Sequence, residues 1–527
     1  VYALRGGSRS HRTRACLVLG NSQAYAVPNG GRLGMCLGRL PHRLSVYLLN
    51  HSYKKDFLMN KIKQKLGYYI GDRAFYKKAL SVAVPIMIQN GITNFVNLLD
   101  NVMVGAVGTE QMTAVSIVNK LIFVYNLCLF GGCAGVGIFT AQFYGKGDYE
   151  GVKKSFRLKV YCNLAVLAVA LTVLITAGPT LIQLFLHESE SNRNLDLTRT
   201  LSYATQYLSV ILFGIIPQAL NEAYSSTLRE TEHTKLPMVS GIAAIITNLT
   251  LNYILIFGHF GAPALGVRGA AIATVIAKFV ELAITAVTVR VRDIYAFLHG
   301  VCKTLRVPLE FVKTVLPKSV PLLINETLWA IGVASLTYCY SLRGLDVVAG
   351  YNISTTITDI FNVITIAFGN AIAIIVGNLL GANKMEEAKR ADARLIVFSF
   401  LICLGTSFVL FNLAPFLPNL YQGTAAHEKL LATSFLRVYS GYILVNTIAN
   451  NCYFTLRSGG KTVLTFLFDS VFMLCVNFPV AFLLAKFTAM PIVPLYACTL
   501  SVDIIKDIVG IILVRSGKWM QNIVNNE

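Results

Sequence analysis

Three carboxyl groups lie inside long apolar stretches, and they are the residues of this sequence best suited to chemistry. Asp100 occurs in LLDNVMVG, Glu326 in PLLINETLWA and Asp359 in a third apolar run. An ionisable side chain at the centre of a membrane-spanning helix costs about 2.5–3.5 kcal/mol on insertion scales, so such a residue is a functional candidate by default. We therefore take Asp100, Glu326 and Asp359 as candidate ion-coupling residues that bind H⁺ or Na⁺. The alternative for Asp100 is a position at the outer end of its span, where the carboxylate reaches water.

Two amides form a second candidate group. Asn248 and Asn252 are four residues apart, so they lie on one face of a predicted helix. They could coordinate Na⁺ through their amide oxygens or hydrogen-bond a protonated Asp100. The alternative is that they join neighbouring helices by ordinary hydrogen bonds.

A proline precedes Glu326 in the same stretch. Pro321 removes one helical hydrogen bond, and we expect the freed carbonyl to form a cation site with the Glu326 side chain. Asp469 and Asp503 are weaker candidates, and Asp503 could simply pair with Lys506, three residues further along the helix. Near predicted cytoplasmic helix ends, long charged side chains are expected to reach water, and this applies to Glu222, Lys278 and Glu281.

The composition excludes a soluble domain. Of 527 residues, 55% are hydrophobic and 14% are charged, whereas a soluble globular protein has about 25% charged residues. The excess apolar surface must face lipid. The net charge of +20 does not indicate nucleic-acid binding, because the basic residues fall between apolar runs on alternating sides and act as signals of membrane topology.

These patterns predict an all-α integral membrane protein with twelve spans. A span needs about 20 mostly apolar residues. Lys and Arg are concentrated in alternate loops, which predicts that both termini are cytoplasmic and that the number of spans is even. The predicted spans are 79–104, 112–139, 157–182, 201–226, 236–258, 267–289, 312–340, 349–376, 394–417, 431–456, 462–486 and 492–514.

The segment before Met59 has a different character. It contains seven arginines and no acidic residue before Asp56. We favour the interpretation that the native protein starts at Met59 and that residues 1–58 come from reading the frame upstream of this start. The alternative is that they form a targeting segment, which is typically rich in Arg and poor in acidic residues. The predicted organisation is therefore an extension over 1–58, a first half over 59–300 and a second half over 301–527.

The two halves are related by an internal repeat. With similar halves of six spans each, the repeats are parallel and enclose a central cavity that opens alternately to each side. The chain has no phosphate-binding G-x-x-x-x-G-K-[ST] sequence, and its longest connections are too short for a catalytic domain, so neither a nucleotide-driven motor nor an enzyme is predicted. One constant shift aligns Pro85 with Pro321, Gly108 with Gly344 and Gly145 with Gly381, and a slightly smaller shift aligns Thr227-Leu228-Arg229 with Thr455-Leu456-Arg457.

Four segments carry a family resemblance, namely LLDNVMVGAVGTEQMTAVSI, AGVGIFTAQFYGKGD, TNLTLNY and GVRGAAIAT. The chain resembles the MATE family of multidrug and toxic compound extrusion transporters from about Phe75 to Lys518. The resemblance implies two six-helix lobes and export coupled to inward H⁺ or Na⁺.

The resemblance also implies a coupling role for Asp100 and places Thr274 beside the two amides. Much of the family has Asp at the position that Asn252 occupies in this chain. Branches of the family that have a Na⁺ site in the second lobe place a Glu in the seventh span and an Asp in the tenth span. This chain has only Asn446, Asn450 and Asn451 in its tenth span, so the resemblance implies at most part of that site, to which Glu326 would contribute.

The predicted function is a secondary antiporter, not an enzyme, in the bacterial inner membrane. Its partners would be the bilayer and a small, often cationic, organic substrate, with no cofactor beyond the coupling ion and no nucleic acid, and it would act as a monomer. The alternatives are a lipid-linked saccharide flippase, a membrane-embedded enzyme and a passive channel. Small residues in GGCAGVG, at 131–137, predict close helix packing. Five aromatic residues could line a cavity for flat cations or serve only in packing, namely Phe95, Tyr125, Trp329, Tyr338 and Tyr351.

Overall fold

The computed structural model describes residues 67–185, 197–301, 304, 306–421 and 425–525. The predicted extension over 1–58 lies outside these residues. Nearly all of the described structure belongs to one compact unit, 69–527. Within it the chain is helical, and the described residues include no β-strand.

The first half contains seven α-helices. They are α1 (Arg73–Gly105), α2 (Thr109–Lys146), α3 (Tyr149–Thr176), α4 (Gly178–Phe185), α5 (Leu197–Glu230), α6 (Lys235–Phe257) and α7 (Val267–Val291). Short 3₁₀ turns follow α6 at His259–Gly261 and α7 at Asp293–Leu298.

The second half continues with eight α-helices. They are α8 (Leu309–Ser341), α9 (Leu345–Gly381), α10 (Met385–Leu413), α11 (Ala426–Ser458), α12 (Thr462–Phe466), α13 (Phe478–Phe487), α14 (Ile492–Ser501) and α15 (Asp503–Arg515). A 3₁₀ turn at Leu417–Leu420 precedes α11. Two π-helical turns, Leu467–Val471 and Met473–Asn477, connect α12 to α13.

The helix starts repeat with the spacing found in the sequence. The first three helices of each half begin at positions related by the same shift that aligns Pro85 with Pro321. The turn between α2 and α3 shows how a helix start is fixed. Gly147 has φ 81°, a left-handed conformation that favours glycine, and it ends α2. Asp148 then caps α3 by accepting a hydrogen bond from the Gly151 amide at 2.9 Å. The pairs of starting residues are Arg73 and Leu309, Thr109 and Leu345, and Tyr149 and Met385.

Nine helices of the described residues are long and apolar enough to cross a membrane. Several predicted spans differ in extent from the observed helices. The span predicted over 492–514 is interrupted at Val502, between α14 and α15. The span predicted over 157–182 is interrupted, because α3 ends at Thr176 and α4 begins at Gly178. The span predicted over 394–417 begins earlier, at Met385, and ends at Leu413, because the charged turn before the apolar run is also helical. The count of twelve spans stays a prediction.

Helix α2 packs closely against both α8 and α9 through small residues. A side chain at Gly131 would lie 3.1 Å from the Leu323 Cα of α8, and one at Gly135 would overlap Ser319. This confirms the predicted packing role of the GGCAGVG segment. At its far end, α2 crosses α9, where Gly145 abuts the backbone of Asn378 and Gly381 abuts the backbone of Gln142.

The segment that follows α15 is fastened to the same end of α2. Gln142 is fully buried. Its amide nitrogen donates to the Ser458 carbonyl at 3.1 Å and to the Gln521 carbonyl at 3.0 Å, and its oxygen accepts from the Ile523 amide at 2.8 Å. One amide side chain therefore holds α11 and the C-terminal segment against α2, close to where α2 meets α9.

Candidate functional site

Four of the predicted site residues form one hydrogen-bonded chain, which we call the Asp100 cluster (Asp100, Asn252, Asn248 and Thr274). The Asn252 amide donates to the Asp100 carboxylate at 2.7 Å and to the Asn248 oxygen at 3.1 Å. The Asn248 amide donates to the Thr274 hydroxyl at 3.2 Å. The hydroxyl in turn donates to the Ala270 carbonyl at 3.0 Å. The chain of bonds therefore connects α1, α6 and α7.

The Asp100 cluster retains unused binding capacity. Asn252 is 1% exposed, and its side-chain oxygen has no hydrogen-bond partner in the described structure. A buried amide oxygen without a donor costs free energy, about 1–3 kcal/mol. No described Lys or Arg forms an ion pair with Asp100. A carboxylate and a free amide oxygen without a nearby cation suit a bound H⁺ or Na⁺.

Glu326 belongs to a different group, the Glu326 cluster (Asn325, Glu326, Tyr453, Asp469 and Lys506). The Tyr453 hydroxyl donates to Glu326 at 3.2 Å. The Asn325 amide donates to Asp469 at 3.1 Å and to the Tyr453 oxygen at 3.3 Å. Lys506 forms an ion pair with Asp469 at 2.6 Å. This cluster thus contains its own cation.

Two expectations for this region were wrong. Lys506 pairs with Asp469 rather than with Asp503, which instead accepts hydrogen bonds from Tyr442 at 2.5 Å and Asn477 at 2.8 Å. Spacing within one helix did not decide the pairing because α12 and the π turn bring Asp469 against α15.

The carbonyl freed by Pro321 does not lie beside Glu326. The helix α8 runs continuously through the proline. The bond that Pro321 cannot make is to the carbonyl four residues earlier, at Pro317. That carbonyl is nine residues before Glu326, or about 13 Å along the helix axis at about 1.5 Å per residue.

Asp359 lies apart from both clusters. Its side chain is exposed on α9, and no hydrogen bond in the described structure joins it to the Asp100 or Glu326 clusters. The sequence placed Asp359 among the ion-coupling candidates because it lies in an apolar run. Its position gives no support to that role.

Two adjoining cavities lie between helices of the first and second halves. Their volumes are about 50 Å³ and about 340 Å³. They share four lining residues, so the cavities are neighbours with a common wall. These four are Phe130, Glu222, Arg229 and Asn370.

Charged residues expected to reach water at helix ends line these cavities instead. Glu222 pairs with Arg229 at 2.6 Å, and Lys278 approaches Glu281 at 3.5 Å. The sequence did not predict this location in cavities between the two halves. Four polar residues on α5 recur every three or four positions within an apolar run, and this stripe could have predicted that one face of the helix lines a cavity. The stripe is Gln218, Glu222, Ser225 and Arg229.

The five aromatic residues considered for a cation site do not line the two described cavities. The Tyr125 hydroxyl donates to the Ile215 carbonyl at 2.8 Å, so this ring is fixed in the core of the first half. Tyr351 packs against Tyr340 and Tyr496 in an aromatic group of the second half. Packing explains both residues better than substrate contact does.

Membrane-length apolar helices, repeated halves and charged cavities between them are the features of a multi-pass membrane transporter. The sequence profile of the family described as MatE matches residues 85–254 and again 321–483. The two matches begin at Pro85 and Pro321, the residues that the repeat aligns. The chain belongs to the MatE family.

Curated relatives and solved structures agree with this assignment. The chain is 23% identical over 453 residues to the probable multidrug resistance protein NorM of Thermotoga maritima, covering 85% of this chain and 94% of the relative. It is 27% identical over 424 residues to the probable multidrug resistance protein YoeA of Bacillus subtilis, covering 78% and 87%. A crystal structure of a mutant Vibrio cholerae MATE transporter, VcmN, matches with a TM-score of 0.76 at 18% identity, covering 85% of this chain and 98% of the other.

Proposed function

We propose that the chain is a secondary antiporter that exports small organic molecules, often cationic, in exchange for H⁺ or Na⁺. The proposal includes twelve spans in two six-helix lobes, a monomer, and termini on the cytoplasmic side of a bacterial inner membrane. The relatives named as probable multidrug resistance proteins support a role in multidrug export. The repeated helix starts support the two lobes, and the distribution of basic residues in the loops supports the orientation.

The Asp100 cluster is the observation that carries the proposal. It contains one carboxylate, hydrogen-bonded to Asn252, and one buried amide oxygen that has no partner. A site of this kind binds an ion with little competition from protein cations. The Glu326 cluster is less suited to Na⁺, because Lys506 already neutralises Asp469 and Arg457 adds a second positive charge close to Glu326.

Transport requires two arrangements of the halves. In this structure α2 and α9 are in contact at the end that carries the basic loops, and the C-terminal segment covers that contact. We infer that this end is closed here, and that release of the crossing opens it. An ion and a substrate that favour opposite arrangements would then exchange across the membrane.

The test uses purified full-length protein in liposomes that contain ethidium. A pH gradient and a Na⁺ gradient are imposed separately, and dye movement is followed by fluorescence. We expect dye movement driven by one of the gradients. Asp100→Asn should remove that movement, whereas Asp359→Asn, a carboxyl outside both clusters, should retain it.

Two outcomes would contradict the proposal. Gradient-driven movement at the wild-type rate in Asp100→Asn would show that coupling occurs elsewhere. No movement under either gradient would remove the antiporter and give the flippase alternative first place.

A further inference from the structure

The C-terminal segment, residues 516–525, begins on the second half of the protein. Gly517 has φ 69°, a left-handed conformation that favours glycine, and it lies just after the end of α15. Trp519 is 2% exposed and packs in an apolar cluster formed mostly by α9, α10 and α11. Its ring nitrogen donates to the Val514 carbonyl at 2.9 Å. These contacts fix the first part of the segment to the second half.

The remainder of the segment binds the first half. The Ile523 amide donates to the Gln142 oxygen of α2 at 2.8 Å, and the Gln142 amide donates back to the Gln521 carbonyl at 3.0 Å. One turn further along α2, Lys146 donates to the Val524 carbonyl at 2.8 Å. Ile523 and Val524 are 9% and 0% exposed, and they belong to an apolar cluster built mainly from the first half. Three hydrogen bonds and two buried side chains therefore connect this part of the segment to the first half.

The repeat provides a comparison without such a segment. Asn378 of α9 is the counterpart of Gln142, because the shift that aligns the halves relates the two positions. The Asn378 amide donates to Glu232 of the first half at 3.0 Å, but its buried oxygen has no hydrogen-bond partner in the described structure. The equivalent oxygen of Gln142 accepts from Ile523. The C-terminal segment thus adds contacts between the halves that the crossing of α2 and α9 alone leaves unmade.

These contacts must break when the halves separate at this end. In the two arrangements proposed above, one end of the protein opens while the other closes. Gln142 and Lys146 then move with the first half, whereas Trp519 moves with the second. The bonds between α2 and the segment span that boundary. Interactions that are present in only one of two arrangements shift the equilibrium toward that arrangement.

We propose that residues 521–525 form a latch, which holds the two halves together at the end that carries the basic loops and is released when that end opens. The proposal rests on the transport function proposed above and adds a means of regulating it. The latch sets the balance between the two arrangements. A change in the latch therefore alters how often this end opens, without any change at the ion or substrate sites.

The test compares hydrogen–deuterium exchange of the full chain in nanodiscs with that of a variant whose chain stops after Met520. Exchange of backbone amides reports how often a region opens. We expect exchange at the crossing, over 140–147 and 377–384, to become at least about tenfold faster, because three hydrogen bonds between the halves are lost. Exchange at the opposite ends of α2 and α9, over 109–114 and 345–350, should become slower, because opening of one end closes the other.

Two lysine substitutions provide a matched pair that leaves the segment in place. Lys146→Met removes the bond to the Val524 carbonyl, so it should speed exchange at the crossing about threefold and slow exchange at the opposite ends. Lys153→Met also removes one positive charge, but Lys153 pairs with Glu150 on α3 at 2.8 Å. This control should exchange as the wild type does. The pair decides the question if the shortened chain fails to fold.

Unchanged exchange at the crossing in the shortened chain and in Lys146→Met would overturn the proposal. Faster exchange at the crossing without slower exchange at the opposite ends would also overturn it, because the segment would then only stabilise the fold. Ethidium transport by the same preparations separates the latch from the antiporter. Opposite changes at the two ends without gradient-driven dye movement would support the latch and contradict the antiporter. Gradient-driven dye movement with unchanged exchange would do the reverse.

Discussion

The Asp100 cluster and the Glu326 cluster occupy the two halves of a repeated scaffold, yet they are not copies of each other. The shift that relates the halves places Leu336 opposite Asp100 and Asn90 opposite Glu326. The Asp100 cluster has one carboxyl group among amides and a hydroxyl. The Glu326 cluster has two carboxyl groups, a tyrosine and a lysine.

The difference teaches that the repeat conserves helix geometry while each half carries its own polar chemistry. In the Glu326 cluster the charges compensate each other, which favours a structural role for part of the group. In the Asp100 cluster no described Lys or Arg compensates the carboxylate, so we expect it to take up an ion from solution. Stability should therefore depend more on the Glu326 cluster, and transport more on the Asp100 cluster.

The largest effect on stability is expected for Lys506→Met. The change leaves the partly buried Asp469 without its cation, and breaking such a pair from one side costs about 3–5 kcal/mol. The midpoint of thermal unfolding in detergent should fall accordingly. The double variant Asp469→Asn with Lys506→Met removes both charges and should recover most of the loss. Equal midpoints for Lys506→Met and the wild type would show that the pair contributes nothing.

The largest effect on transport is expected for Asp100→Asn. The amide has nearly the same shape but cannot take up H⁺ and provides no charge for Na⁺, so the coupled rate should fall by about a hundredfold, or about 2.7 kcal/mol in the barrier. Initial rates in liposomes measure this. The thermal midpoint should change little, and a large fall in that midpoint would place Asp100 with the structural cluster instead.

A matched pair of amide deletions compares the two clusters directly. Asn252→Ala removes the donor to Asp100, whereas Asn325→Ala removes contacts with Asp469 and Ser470. Each change deletes hydrogen bonds of buried groups, with a stability cost of about 1–3 kcal/mol. Asn252→Ala should also slow coupled transport, and Asn325→Ala should not slow it beyond its effect on the amount of folded protein. The reverse pattern would contradict the assignment of roles.

The smallest effect concerns His233, which lies between α5 and α6, outside the spans. Burial among aromatic rings lowers the pKa of His233 below its usual value, partly opposed by the Thr231 carbonyl and by Glu232. The unfolded chain therefore takes up a proton first, and stability should fall as the pH drops from about 7.5 to about 5.5. His233→Gln should make the thermal midpoint less dependent on pH. If the thermal midpoint of His233→Gln depends on pH as that of the wild type does, another group titrates in this range. Comparing the two proteins also separates the effect of pH on folding from its effect on coupling in a pH profile of transport.

The sequence predicted the helical class, the repeat and the meeting of Asp100, Asn248, Asn252 and Thr274. These follow from apolar length, from residues that match at a constant shift, and from spacing on one helix face together with the family resemblance. The partner of Lys506 was not predictable, because Asp469 lies on a separate helical segment that only tertiary packing brings against α15. The charged wall of the cavities was missed for a similar reason, since whether a helix end faces water or another helix depends on packing between the halves.

The crossing of α2 and α9 has a consequence for the origin of the molecule. Gly145 abuts Asn378, and their counterparts Gly381 and Gln142 abut each other in the same way. Reciprocal contact of this kind is the signature of a two-fold homodimer interface, in which one surface patch binds its own copy. A single half carrying this patch could have paired with a second molecule of itself, and fusion of the two genes would then have preserved an existing contact. In a symmetric dimer one substitution changes both copies of a contact, whereas here a substitution at Gly145 or Gly381 changes only one of the two.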